Sequence, residues 1–140
     1  MARNYDLKLS KEYNISRHRY RELKEFCLQY EEKKAELQQI YTSSTVAPEV
    51  AVKGGMPGTP TEKKAMRASS LKSEIKLIDD SLYEACGDDV GIVEFLKKNV
   101  TLGIGFDALG CVPCSTKSFY QYRRLFFFLL DKRKKDKMGH

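Results

Sequence analysis

The sequence predicts an all-α chain. Two observations carry that prediction. Apolar residues recur at three- and four-residue intervals over long stretches, the spacing that lines up one helix face. These stretches are bounded by capping residues or glycine, and no strand pattern with its turn chemistry stands beside them. The chain has 140 residues, 41% hydrophobic and 31% charged. That gives apolar material for one core under a charged surface. It is too short for an enzyme with a separate cofactor domain. No apolar run reaches the roughly 18 residues of a membrane span. The first residues are too polar for a signal peptide, so a cytoplasmic protein is expected.

Residues 1–42 read as an N-terminal helical segment. A helix is expected over 16–41, where Tyr20, Leu23, Cys27, Tyr30, Leu37 and Tyr41 keep helical spacing and Lys34 interrupts the stripe. Ser16 is its N-cap, because a hydroxyl there accepts from a free N–H of the first turn. Glu31, Glu32, Lys33, Lys34 and Glu36 supply charge pairs on the solvent side. Just before the cap, Leu9–Ser16 reads as one helical turn. Asn14 takes a left-handed turn there and Ile15 is an apolar plug.

Residues 43–60 crowd Gly, Pro and Ser together and read as a flexible linker. Residues 61–87 then form the long helix of a hairpin, with the helix itself over 61–86. Ala68, Leu71, Ile75, Ile78, Leu82 and Ala85 make one unbroken narrow seam, and Gly87 is the stop. The seam pairs with 16–41 or with a second chain.

Residues 88–134 hold the most chemistry. Asp88 or Asp89 caps a helix over 90–99, with Val90, Val93, Leu96 and Val100 inward. Gly103 and Gly105 interrupt, and a short helix is expected at 106–109. Gly110 and Cys111-Val112-Pro113-Cys114 then lead to Ser115, the cap of a last helix running to about Arg133. Residues 135–140 read as a disordered basic tail. A short helix, a tight turn and a capped Arg/Tyr-rich helix form the layout of a helix-turn-helix.

On that last helix, Phe119, Tyr122, Phe126, Leu129 and Leu130 share one side. Lys117, Tyr120, Gln121 and Arg124 share the other, with Arg123 at the flank. Phe127 and Phe128 make the second half apolar nearly all round, so it should be buried. A DNA-reading helix needs this distribution, with its first turns at the base edges and its end in the core. Lys117, Tyr120, Gln121 and Arg124 are the expected base readers. Ser115, Thr116 and Arg123 are expected on phosphates, and Arg17, Arg21 and the Lys132–Lys137 stretch add sequence-independent affinity.

Charge placement agrees. The net charge is +6. Residues 1–30 carry seven Lys/Arg and four Asp/Glu, residues 31–114 ten and thirteen, and residues 115–140 eight and two. Both ends are basic around an acidic middle, which points to double-stranded DNA; a membrane is not expected, because the last helix keeps its apolar half beyond its polar half instead of along one continuous face. Six identities in thirteen positions relate Ser16, Tyr20, Arg21, Leu23, Phe26 and Leu28 to Ser118, Tyr122, Arg123, Leu125, Phe128 and Leu130. Chance similarity accounts for this better than duplication, because the match starts three residues past the Ser115 cap.

No enzyme, cofactor or metal is expected. Cys111-x-x-Cys114 lacks the strand that precedes a redox motif of this form, although its place near a helix start favours the Cys114 thiolate. Cys27 and Cys86 read as small core residues. Asp79-Asp80 reads as helix surface and Asp88-Asp89 as a cap. His18 and His140 have no evident partner.

Two stretches carry a resemblance. One is Tyr13-Asn-Ile-Ser-Arg-His-Arg-Tyr-Arg-Glu-Leu-Lys-Glu-Phe-Cys-Leu-Gln-Tyr30. The other is Val112-Pro-Cys-Ser-Thr-Lys-Ser-Phe-Tyr-Gln-Tyr-Arg-Arg-Leu-Phe-Phe-Phe-Leu-Leu130. They resemble the ArpU/RinA-like late-gene transcription regulators of phages and prophages, whose C-terminal part looks like the helix-turn-helix of sigma factor region 4. The resemblance implies a sequence-specific DNA-binding regulator of phage genes in the bacterial cytoplasm. A homodimer and host RNA polymerase are the protein partners that go with it. Gly103, Gly105 and Cys111 depart from the pattern and bear on docking geometry. A phage small terminase subunit and a helical protein-binding adaptor are the alternatives.

Overall fold

The computed structural model describes residues 13–44, 60–87 and 89–138. Five α-helices and one 3₁₀ turn lie among the described residues, which include no strand. They are α1 (Arg17–Leu28), α2 (Tyr30–Ser44), α3 (Pro60–Ala85), α4 (Val90–Leu102), the 3₁₀ turn (Phe106–Ala108) and α5 (Thr116–Met138). The chain is all-α, as its periodicity predicts. None of these helices is long and apolar enough to cross a membrane.

The chain divides into two compact units. One holds α1, α3 from Leu77 onward, α4 and α5 and is called the core unit below. The other is the hairpin unit, Tyr30–Lys76.

In the core unit α1, α4 and α5 pack on one another. Leu23, Leu82, Leu96, Phe119, Phe126 and Leu130 are wholly buried, one or more from each helix. Each such side chain contributes about 1.5–3 kcal/mol by leaving water. The ends are set locally. The Ser16 hydroxyl accepts from Arg19 N at 3.1 Å. Asp89 accepts from Gly91 N at 3.1 Å and Ile92 N at 3.4 Å, which makes it the cap of α4. Gly103 closes α4 at φ +72°, where a Cβ would be strained. Asn14 takes the left-handed turn at φ +56° and Ile15 is 2% exposed, the plug the sequence predicts. Leu9–Glu12, Asp88 and residues 45–59 of the expected 43–60 linker lie outside the described residues, whereas Ser43 and Ser44 end α2 and Pro60 begins α3.

Several expectations need correction. The helix expected over 16–41 is two helices. α1 stops at Leu28 and Gln29 (φ −86°, ψ 0°) donates to Cys27 and Phe26 carbonyls, ending the helix without glycine or proline. Val90, expected inward, is 57% exposed, because as first residue of α4 it lies before the packed turns. The 106–109 helix is a single three-residue 3₁₀ turn. The tail is helical through Met138. Lys and Asp are tolerated in a helix, Lys135 pairs with Asp131 one turn back at 3.1 Å, and cations suit a helix C-terminus.

The hairpin unit uses less apolar material. Ala68 and Leu71 of α3 and Tyr30 of α2 are buried, and Ile75 is half-buried. Lys33, expected on the solvent side, is 7% exposed, and its Nζ lies 3.4 Å from Glu74. A long apolar stem lets lysine cover a seam while its charge finds a carboxylate. Tyr41, expected on the inner stripe, is exposed beside Lys72. Arg67 and Glu36 form a two-pronged ion pair at 2.8 and 2.9 Å across the hairpin.

Candidate nucleic-acid interface

The first turns of α5 are fixed from beneath and open outward. Ser115 caps the helix, its hydroxyl accepting from Ser118 N at 3.1 Å. Phe119 is fully buried, edge-on to Phe106 of the 3₁₀ turn with centroids 5.1 Å apart. So the 3₁₀ turn serves as an aromatic stop for the helix start. Between α4 and α5 lie thirteen residues, Gly103–Ser115. A helix-turn-helix uses a turn of about three to four residues. The layout is a helix–loop–helix with a long, locally folded connection.

The expected site residues separate into two groups. Thr116, Lys117 and Gln121 are exposed on α5, and Arg17 and Arg21 are exposed on α1. Ser115 is exposed too, but its oxygen is engaged in the cap. The second group lies inside. Arg124 is 6% exposed, which corrects its expected place on the outer face. Arg123, expected on a phosphate, is held within the core unit. Its Nε donates to Asn99 Oδ1 at 2.7 Å, its Nη1 donates to Tyr20 OH at 2.7 Å, and its plane lies 4.9 Å from the Phe127 centroid. Tyr120 is half-buried with its ring near Phe119 and Phe106, so it presents an edge at most.

A helical wheel treats arginine as polar and turns it outward. Here stacking and hydrogen bonds outweigh that preference, since the guanidinium is planar and less strongly hydrated than an ammonium. Asn99 is the partner that sequence reasoning missed. It also donates from Nδ2 to the Ile104 carbonyl at 2.9 Å, tying the loop after α4 to the same arginine. An Asn in the last turn before a glycine cap was the available signal.

The basic end of α5 is partly engaged as well. Arg133 pairs with Glu84 and reaches Ser81, Lys135 pairs with Asp131, and Lys134 lies over the Phe26 ring. Asp131 is 4% exposed and also accepts from Arg19. Lys132 is exposed, 5.6 Å from the Phe128 centroid.

Cysteine chemistry departs from expectation in one respect. Burial first, and then the Asp89 charge, push the Cys114 thiol above its ordinary value, so the helix start does not favour its thiolate. Burial likewise pushes Cys86 up to about 12. Cys27 and Cys86 are buried core residues, as expected, and Cys111 is exposed. Among the described residues no group of three or more His, Cys, Asp or Glu side chains is placed to hold a metal ion.

Comparisons with protein-family models, with curated proteins and with solved structures each return no match.

Proposed function

We propose that the protein binds double-stranded DNA through the start of α5, and regulates transcription in the manner its resemblance to phage late-gene regulators implies. The supporting observation is where the cations are engaged. Arg19, Arg67 and Arg133 close on carboxylates, and Arg123 is held by Asn99 and Tyr20. Among the described residues of α1 and the start of α5, Arg17, Arg21 and Lys117 are exposed and pair with no carboxylate; elsewhere the same holds of Lys34, Lys63, Lys72 and Lys98. Exposed cations outside ion pairs are the groups that release counterions when they meet phosphates.

In this reading Lys117 and Gln121 reach base edges, as donors to guanine and to adenine. Thr116 and the free N–H groups of the first turn hold a phosphate. Arg17, Arg21 and Lys132 add contacts that carry no sequence information. Arg123 and Arg124 contribute by holding α5 in place. A homodimer and host RNA polymerase belong to the same proposal, with a palindromic site as the sign of the dimer.

The test is selection of bound duplexes from a random pool by the purified full chain. A recurrent motif is the expected outcome. No retention of any duplex at low salt, together with a stable protein complex, turns the reading to an adaptor. A ring of many subunits in native mass spectrometry, with DNA bound, turns it to a small terminase subunit.

A further inference from the structure

We propose that Cys111 and Cys114 form a reversible thiol–disulfide site, one that takes a small disulfide such as oxidised glutathione as its reactant and closes a bond across the loop before α5. Both cysteines are free, and two residues separate them in the connection from α4 to α5. Three residues of fully extended chain span only about 10 Å. Here the chain bends at Cys111, Pro113 and Cys114. Bending shortens the span toward the roughly 4.4–6.8 Å between Cα atoms that a disulfide takes.

The two cysteines stand in unlike surroundings, and this sets their order of reaction. Cys114 is on the held side of the loop. Ser115 next to it caps α5, and a Cβ at Gly91 would lie 3.9 Å from Pro113 Cγ, so Pro113 rests against the start of α4. Cys111 is on the open side, at the middle of a three-residue turn in which Val112 N donates to the Gly110 carbonyl at 3.0 Å. Gly110 has φ +95°, and beyond its chain neighbours no atom lies within 4 Å of where a Cβ would be. A glycine there lets the backbone pivot and bring Cys111 onto Cys114. Cys111 is exposed and Cys114 is half-buried, whereas Cys27 and Cys86 are 0% and 5% exposed and out of a reagent's reach.

The Cys111 thiolate attacks one sulfur of oxidised glutathione. That S–S bond breaks, and the departing glutathione thiolate takes up the proton that Cys111 released. Cys114 then gives up its proton and attacks the Cys111 sulfur of the mixed disulfide, and the second glutathione leaves carrying that proton. Two protein thiols are oxidised to one disulfide, and one glutathione disulfide is reduced to two thiols. The closed bond ties the Gly110 side of the loop to the cap of α5. Burial, and then the Asp89 charge, holds the Cys114 thiol above its ordinary value. A thiol of that kind leaves slowly when a reductant attacks Cys111, so the bond, once closed, is kept rather than passed on.

The site is independent of the DNA reading and is measured without DNA. The reduced full chain is incubated with excess oxidised glutathione and quenched in acid. Its remaining thiols are alkylated in denaturant before intact-mass and peptide analysis. The expected product has lost two hydrogens, links Cys111 to Cys114, and leaves Cys27 and Cys86 alkylated. Excess dithiothreitol should restore all four thiols. Cys114→Ser should stop at one glutathione held on Cys111. Cys111→Ser, a change at an exposed residue that leaves the fold intact, should slow the oxidation of Cys114 at least about tenfold. The proposal is overturned by no reaction of either thiol, by a glutathione adduct that persists on Cys111 while Cys114 stays free, or by a bond from Cys86 to either cysteine. Cys114 reacting as fast without Cys111 as with it also overturns it.

Discussion

In the core unit, helices meet through large apolar side chains, and polar groups within that packing are tied off. Phe119, Phe126 and Phe127 fill the space beside α5, and Arg123 stacks on Phe127 while it bonds Asn99 and Tyr20. In the hairpin unit the buried side chains are fewer, and charges cross between α2 and α3: Lys33 to Glu74 and Arg67 to Glu36. The contrast teaches where rigidity is placed. Apolar burial and shared hydrogen bonds hold an element firmly, whereas exposed ion pairs add little. The helix that presents Lys117 and Gln121 stands on the firm side. The hairpin should exchange its amide hydrogens from smaller openings than the core unit does.

The largest expected effect tests the core unit. Phe126→Ala removes a fully buried ring and should cost about 3–5 kcal/mol of unfolding free energy, read by urea denaturation. Cys27 and Cys86, both buried, should become open to alkylation in that variant at a denaturant concentration where the parent still protects them. A loss below about 1 kcal/mol would show that the ring is not a principal support.

A smaller effect is expected at the arginine clamp. Arg123→Met keeps an apolar stem and removes the bonds to Asn99 and Tyr20. It should cost about 1.5–3 kcal/mol, the range for hydrogen bonds to a charged group. The amide of Ile104 and its neighbours should exchange faster in the variant, since Asn99 holds that loop. Unchanged exchange there would separate the loop from the clamp.

The smallest effect belongs to the hairpin. Arg67→Ala should leave stability near neutral pH within measurement error, because the pair with Glu36 is exposed to solvent. The hydrogen bond from Arg67 holds the Glu36 carboxyl below its ordinary 4.5. A depressed folded value gives stabilisation that is present above the unfolded value and is lost as pH falls through the folded one. Helical signal from the hairpin should therefore be flat from neutral pH to about 5 and decline only in more acid solution, less steeply in Arg67→Ala. High salt should shrink the difference.

Much of the fold was legible in short-range chemistry. Ser16, Asp89 and Ser115 are caps because their side chains meet free N–H groups two or three residues on, and Asn14 and Gly103 sit where left-handed backbone is needed. The seam from Ala68 to Ala85 followed from spacing alone. The break at Gln29 was not legible, since no glycine or proline marks it. For the candidate site, exposure was legible at Lys117, Gln121, Arg17 and Arg21, whose polarity predicts it. It was misread at Arg123 and Arg124. What decides the place of Arg123 is Asn99 and Tyr20, partners distant in sequence that no wheel of one helix contains.

Salt dependence of duplex binding tests the central claim most directly. With about three phosphate contacts, from Arg17, Arg21 and Lys132, log affinity should fall against log salt with a slope of about −3. Lys117→Ala should leave that slope nearly unchanged and weaken the selected sequence by about 1–3 kcal/mol more than random duplex. A salt-independent affinity, or a slope that stays the same when Arg17, Arg21 and Lys132 are all replaced by alanine, would contradict the claim that these exposed cations face DNA.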